Sequence, residues 1–342
     1  MQRSLHSSWI GTIIVQPINC SSTMPRQNKC SRDESSFRFI DLFAGIGGMR
    51  LGFEHAGGEC VFSSEWNTHA RRTYEANFGE APHGDITTIS ASEIPRFDIL
   101  VAGFPCQPFS SIGLRQGFKH PTQGTLFHEI VRIMEHHSNR AFLLENVVGL
   151  LSHDKGRTIN TIQNSLTDLG YAFDFRVLDA ADFGVPQYRK RVFIVGFKSR
   201  RPGRRDLDWP SGAKKHRGIG PFLEKNVKGY SISRHLQSSY LFKARLSQPQ
   251  IVDRRTQTPV KPLVASYHKI QRLTGTFVRG GETGYRLFTP NECKAIMGFP
   301  QSFEIPVSRT QMYRQMGNSV AVPVIRVIAR WMIEDLKVLD RR

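Results

Sequence analysis

The chain has 342 residues, 39% of them apolar, which is enough for one large α/β core and a smaller companion. Its formal net charge is +18 and no apolar run approaches the length of a bilayer span, so a soluble protein with no membrane partner and with a polyanionic one, nucleic acid first, is expected. That charge is concentrated: Lys198 to Tyr285 holds 19 Lys and Arg against 5 Asp and Glu, a net +14.

The five cysteines, Cys20, Cys30, Cys60, Cys106 and Cys293, are scattered and form no Cys-x-x-Cys pair. Neither a metal site nor a disulfide framework is therefore expected, and a reducing cytoplasm fits. Residues 1–36 read as a flexible extension. Met1 to Ser31 has no acidic residue and is rich in serine, as transit peptides are, but its apolar run Trp9 to Val15 is broken by Gly11 and Thr12. Met24 is an alternative start.

Phe37 to Phe43 predicts the first strand, running into Ala44-Gly45-Ile46-Gly47-Gly48 and a helical pattern from Met49 to Ala56. A glycine turn between strand and helix lets a nucleotide-like cofactor approach the backbone, although such glycines are as often mere turn residues. A second strand, Cys60 to Ser64, ends in Glu65, about 20 residues past the first glycine, where an acid can take ribose hydroxyls. A helix follows over Asn67 to Phe78. In Gly84-Asp85-Ile86 the acid either starts a turn or reaches an adenine amino group.

The strand Phe97 to Val101 is broken by Gly103-Phe104-Pro105-Cys106-Gln107-Pro108, which neither continues a strand nor enters a helix easily. A cysteine is thus held in a stiff loop at a strand end, where parallel α/β sheets bind ligands. The next loop is basic, with Arg115 and Lys119, and its three glycines predict mobility. An amphipathic helix from Thr125 to His137 leads to the strand Arg140 to Leu144 and to Glu145-Asn146-Val147. An acid in that place is costly to desolvate unless it caps a helix or has a role.

After a helix from Lys155 to Leu169 and a strand from Ala172 to Leu178 comes Gln187-Tyr188-Arg189-Lys190-Arg191, leading into the strand Val192 to Phe197. Alternation puts Arg189 and Arg191 on one face, aimed at phosphate or carbonyl oxygens or lying on a solvated edge strand. Beyond Phe197 basic pairs recur with aromatics interleaved, which predicts a small, mostly β domain gripping nucleic acid, with Pro262 to His268 as its base-reading part. Thr289-Pro290 starts a helix that ends near Gly298, and a final helix runs to about Leu339. Asn318-Ser319 before it is either a helix cap or a return to the cofactor. The expected division is 1–36 extension, 37–197 catalytic and cofactor-binding domain, 198–300 basic target-recognition domain, and 301–342 a C-terminal segment returning to the catalytic domain.

Six blocks in this order resemble the bacterial C5-cytosine-specific DNA methyltransferases, the modification enzymes of type II restriction systems. They are Phe39-Ile40-Asp41-Leu42-Phe43-Ala44-Gly45-Ile46-Gly47-Gly48, Pro105-Cys106-Gln107, Glu145-Asn146-Val147, Gln187-Tyr188-Arg189-Lys190-Arg191, Thr289-Pro290-Asn291-Glu292-Cys293 and Gln315-Met316-Gly317-Asn318-Ser319-Val320. The resemblance implies an α/β fold, a Rossmann-like S-adenosylmethionine-dependent domain with a smaller, mostly β target-recognition domain. It implies S-adenosyl-L-methionine as cofactor, S-adenosyl-L-homocysteine as product, and no metal.

By the same resemblance Phe43, Gly45, Ile46 and Gly47 line the cofactor, Glu65 takes its ribose, and Trp66, Asp85 and Ile86 surround its adenine, with Pro105, Leu126, Asn318 and Ser319 as further contacts. Cys106 adds to cytosine C6, Glu145 serves N3, Arg191 holds O2 and Arg189 assists, on a base flipped out of the duplex beside Phe104 and Pro105. Double-stranded DNA is then the partner of a monomer in the bacterial cytoplasm, on the nucleoid, and a cognate restriction endonuclease is encoded nearby. Val148, Asn291 and Met316 depart from the usual lysine, arginine and phenylalanine, at positions without a catalytic part. Three alternatives remain: a tRNA cytosine methyltransferase with the same chemistry; a non-catalytic scaffold, which would not need both Cys106 and Glu145; and an NAD-dependent oxidoreductase, which would not need Pro-Cys-Gln.

Overall fold

The computed structural model describes residues 37–105, 126–213, 215–243 and 248–340; Cys106, the loop after it and the extension 1–36 lie outside the described residues. In chain order the elements are β1 (Arg38–Leu42), α1 (Gly48–His55), β2 (Glu59–Ser64), α2 (Thr68–Phe78), β3 (Ile99–Gly103), α3 (Leu126–His137), β4 (Ala141–Val147), α4 (Arg157–Asp168), β5 (Tyr171–Asp179), β6 (Lys190–Lys198), β7 (Gly203–Arg204), α5 (Arg234–Leu236), β8 (Gln250–Val252), β9 (Thr276–Arg279), β10 (Tyr285–Arg286), α6 (Pro290–Met297), α7 (Arg309–Asn318) and α8 (Val322–Asp340).

Seven strands form one sheet in the order β2-β1-β3-β4-β6-β5-β7. The β2-β1-β3-β4 half is parallel, and β6 runs antiparallel between β4 and β5. The central strand β3 and the first four residues of β4 read as unbroken apolar runs because helices cover both faces. Alternation then sorts neighbours: Ile40, Leu100 and Leu144 join the core that receives Ile130 of α3 and Ile162 of α4, while Phe39, Val101 and Leu143 join the core that receives Phe53 of α1 and Ile325 and Ile328 of α8. The position of β6 overturns the edge-strand alternative for the arginine block, since Arg191 is flanked by Val147 on one side and Leu178 on the other.

A third core joins the small sheet β10-β9-β8 to α6 and α7 through Val252, Phe277, Phe288, Ile296 and Met312. Regular structure is sparse here, and long side chains replace the ladder. Arg286 donates to both carboxylate oxygens of Glu292 at 2.7 Å, and both residues are buried. Glu292 also closes a capping box with Thr289, so α6 starts where the Thr-Pro signal places it and ends at Gly298, whose φ is 73°. The sequence reading missed α7. Its signal was Ser308 followed three residues later by Gln311, and Ser308 caps the helix by accepting from the Gln311 N–H.

Candidate active site

The turn after β1 is sharply contorted: Phe43, Gly45 and Gly47 have φ of 56°, 58° and 83°. At Gly47 a Cβ would lie 2.2 Å from a ring carbon of Phe78, so only glycine fits both the dihedral and the contact. The Gly45 N–H donates to Glu65 Oε2 at 2.8 Å, and the Asn67 N–H donates to Oε1 at 2.8 Å, which pins the acid at the end of β2 across from the turn. Burial still pushes the Glu65 carboxyl above its usual range.

Beside this turn opens a cleft of about 720 Å³ along the carboxyl ends of the parallel strands. All but two of the residues named from sequence line it: Phe43, Gly45, Ile46, Glu65, Trp66, Asp85, Ile86, Pro105, Leu126, Asn318 and Ser319, together with Glu145, Arg189 and Arg191. Gly47 is not among the lining residues and packs on Phe78; Cys106 lies outside the described residues. Asp85 fulfils the turn-starting alternative, since its Oδ1 accepts from the Thr87 N–H, and it lines the cleft as well. Trp66, 77% exposed, offers a flat apolar face at the rim.

Glu145 is the fifth residue of β4, opposite Gly103 of β3. Gly103 contributes no side chain there, and a Cβ on it would approach Glu145 Oε2 to 3.6 Å. The Arg191 Nε lies 3.2 Å from Glu145 Oε1, with the two side chains only 20% and 12% exposed. Burial pushes the Glu145 carboxyl up, against the opposing pull of Arg191 and then Arg189. The carboxyl is therefore easier to protonate than an ordinary one and sits beside a fixed cation. Asn146 donates from Nδ2 to the Phe104 carbonyl at 2.9 Å, which ties the start of the cysteine loop to the next strand.

Arg189 is placed differently from Arg191, although two residues apart on the same alternation. It is 3% exposed, and its guanidinium donates to the Leu263, Gly317 and Ser319 carbonyls at 3.0, 2.9 and 2.7 Å. Asp41 was missed from sequence. It is wholly buried in β1, lines the cleft, and neither carboxylate oxygen has a hydrogen-bond partner of normal geometry. Burial pushes its carboxyl up to about 8 against the opposing pull of Arg50, whose guanidinium is itself engaged by Glu54, Glu80 and the Tyr74 hydroxyl. An acid inside the apolar run of β1 was the only signal.

Residues 37–334 match the family model described as C-5 cytosine-specific DNA methylase. The chain belongs to that family. It is 56% identical over 308 residues to the type II methyltransferase M.MspI of a Moraxella species, an alignment covering 90% of this chain and 73% of the relative. It is likewise 56% identical over 299 residues to M.BsuFI of Bacillus subtilis, covering 87% and 73%. In fold the methylase resembles the Dnmt2 methyltransferase of S. pombe, with a TM-score of 0.70 at 22% identity over 88% of this chain and 99% of that one. The Rossmann-like fold, the enzyme class and the type II assignment thus follow. Two of this methylase's departures from the family pattern have evident local partners: Asn291 donates to Glu224 Oε1 at 3.0 Å, and Met316 is buried in the third core.

Proposed function

We propose that this methyltransferase moves the methyl group of S-adenosyl-L-methionine to C5 of a cytosine flipped out of a specific duplex DNA sequence, through a covalent bond between Cys106 and C6. The observation that carries this is a single cleft in which Asp41 and Glu65 line the β1–β2 side while Glu145 and Arg191 line the β4–β6 side.

The first side suits the cofactor. An orphaned, buried carboxylate at Asp41 fits a cationic ammonium group, Glu65 retains lone pairs for ribose hydroxyls, and Trp66 offers a face to a purine. When bound, S-adenosylmethionine supplies an electrophilic methyl group on a sulfonium. Gly47 serves the turn's shape, with Gly45 and Ile46 forming the wall.

The second side suits a cytosine. Cytosine C5 is a poor nucleophile, so the Cys106 thiolate adds to C6: the S–C6 bond forms, the C5=C6 electron pair shifts to C5, and N3 takes a proton from Glu145. The raised carboxyl of Glu145 keeps that proton available, and Arg191 holds the base O2. C5 then gains the methyl group. A solvent water or hydroxide then takes the C5 proton, the S–C6 bond breaks with its electron pair leaving on the Cys106 thiolate, the ring is restored, and the N3 proton returns to Glu145. None of these atoms is reachable inside a stacked duplex, hence the flipped base.

Residues 198–300 act as the target-reading part and 301–342 as the return to the cofactor side, in a monomer working in the bacterial cytoplasm and protecting DNA from a cognate endonuclease. The test is bisulfite sequencing of a plasmid from cells expressing this chain or its Cys106→Ala variant. Protected cytosines in one short recurring sequence, lost in the variant, are expected. No protected cytosine with well-folded protein present would overturn the assignment and make tRNA the next substrate to assay; a gene neighbourhood without a nuclease would count against the protective role.

A further inference from the structure

Two buried side chains at the entrance to β6 hold the backbone of one residue of the basic segment. Gln187 accepts from the Leu263 N–H at 2.6 Å, and Arg189 donates to the Leu263 carbonyl at 3.0 Å. Gln187 is anchored in turn by donating to the Ile296 carbonyl at 3.2 Å. The second arm of the Arg189 guanidinium reaches in another direction, to the Gly317 and Ser319 carbonyls that flank Asn318 on the cleft wall. The two segments also touch directly: a Cβ on Gly317 would lie 2.2 Å from the Ala265 nitrogen.

Arg189 forms no ion pair among the described residues and its Nε has no partner. A cation buried against three carbonyls, with Glu145 acting on it only from beyond ion-pair distance, is a costly way to fasten a loop that a neutral donor could fasten. What arginine adds is a rigid planar fork, so that two backbone segments contacted by one guanidinium cannot shift independently.

We infer that Arg189 is a positioning residue that couples DNA engagement at residues 263–268 to the cofactor wall at Gly317–Ser319. A duplex that orders the Leu263 segment thereby orders the carbonyls of the wall, and a bound cofactor does the reverse, because such coupling is reciprocal. Coupling of this kind rests on the cofactor-and-cytosine assignment of the cleft, and the experiment separates the two.

Binding of S-adenosylhomocysteine is measured by calorimetry with and without a duplex carrying the sequence identified by bisulfite protection, for the full chain, Arg189→Lys and Gln187→Met. In the unaltered protein the duplex should tighten S-adenosylhomocysteine on the order of tenfold, within the usual range for coupled sites. Arg189→Lys places a point charge where a fork was, and should reduce the factor to about twofold. Gln187→Met, which removes the acceptor for Leu263 together with the anchor to Ile296 but leaves Arg189 in place, should give an intermediate factor and decides the question if the arginine variant does not fold. Full coupling in both variants, with or without lower melting temperatures, overturns the inference and leaves Arg189 a structural fastener. An unaltered protein that binds both ligands without coupling overturns it too, whereas one that binds no S-adenosylhomocysteine overturns the cofactor assignment itself.

Discussion

Replacing Asp41 with Asn should stabilise the ligand-free protein and weaken its hold on the cofactor. Burial raises the carboxyl from 3.8 to about 8. Well below pH 3.8 it is protonated in both folded and unfolded chains and costs nothing. As pH rises past the unfolded value the unfolded chain releases the proton while the folded one retains it, so stability falls until the folded group ionises near pH 8. A shift of about four units, at about 1.4 kcal/mol each, makes the cost about 4 kcal/mol at pH 7 and at most about 6 kcal/mol above pH 8. Asn carries no titrating proton, so the urea-unfolding free energies of the two proteins should converge at acid pH and separate steadily towards pH 8. On the proposed cofactor assignment, saturating S-adenosylhomocysteine should narrow the gap, because its ammonium would pair with the carboxylate and not with the amide. Equal pH slopes in the two proteins, or equal stabilisation by the ligand, would refute the view of Asp41 as an unpaired buried acid awaiting a cation.

Glu145→Gln should lower the single-turnover rate of methyl transfer by roughly 10²–10⁴ while leaving duplex binding intact, since an amide can hydrogen-bond N3 but cannot protonate it. Because Arg191 lowers the Glu145 carboxyl, Arg191→Met should move the high-pH loss of activity to still higher pH; an unmoved limb would remove Glu145 from the acid role. Arg286→Met strands the buried Glu292 without its cation and should cost about 3–5 kcal/mol, read as a lower urea midpoint. Deleting residues 1–36 should leave methyl transfer intact, and an inactive truncation with an unchanged melting temperature would show that the extension takes part.

Much of the fold was legible because it is written in neighbouring residues. The β1–turn–α1 unit follows from an apolar run, a glycine turn and a helical pattern within about twenty positions, and the placement of Glu65 opposite Gly45 follows from their spacing. The Thr289-Pro290 start of α6 is likewise local, since a capping box closes within three residues. Strand β6 was legible as a strand but not as an interior one, because nothing in its own alternation says which strands flank it.

The sequence by itself determined the elements and the residue types of the cleft; only the tertiary structure decided how each polar group is satisfied. Arg189 and Arg191 share an alternation and a charge, yet Arg191 meets Glu145, whereas Arg189 meets carbonyls 74 to 130 residues further along the chain. Asp41 lies between Ile40 and Leu42 in the sequence like any strand residue, and its lack of a partner exists only once β2, β3 and α1 have closed around it. Dihedral preferences and caps are settled by atoms within a few residues, while desolvation and pairing depend on every segment that reaches the group, which is why the first can be read in order along the chain and the second cannot.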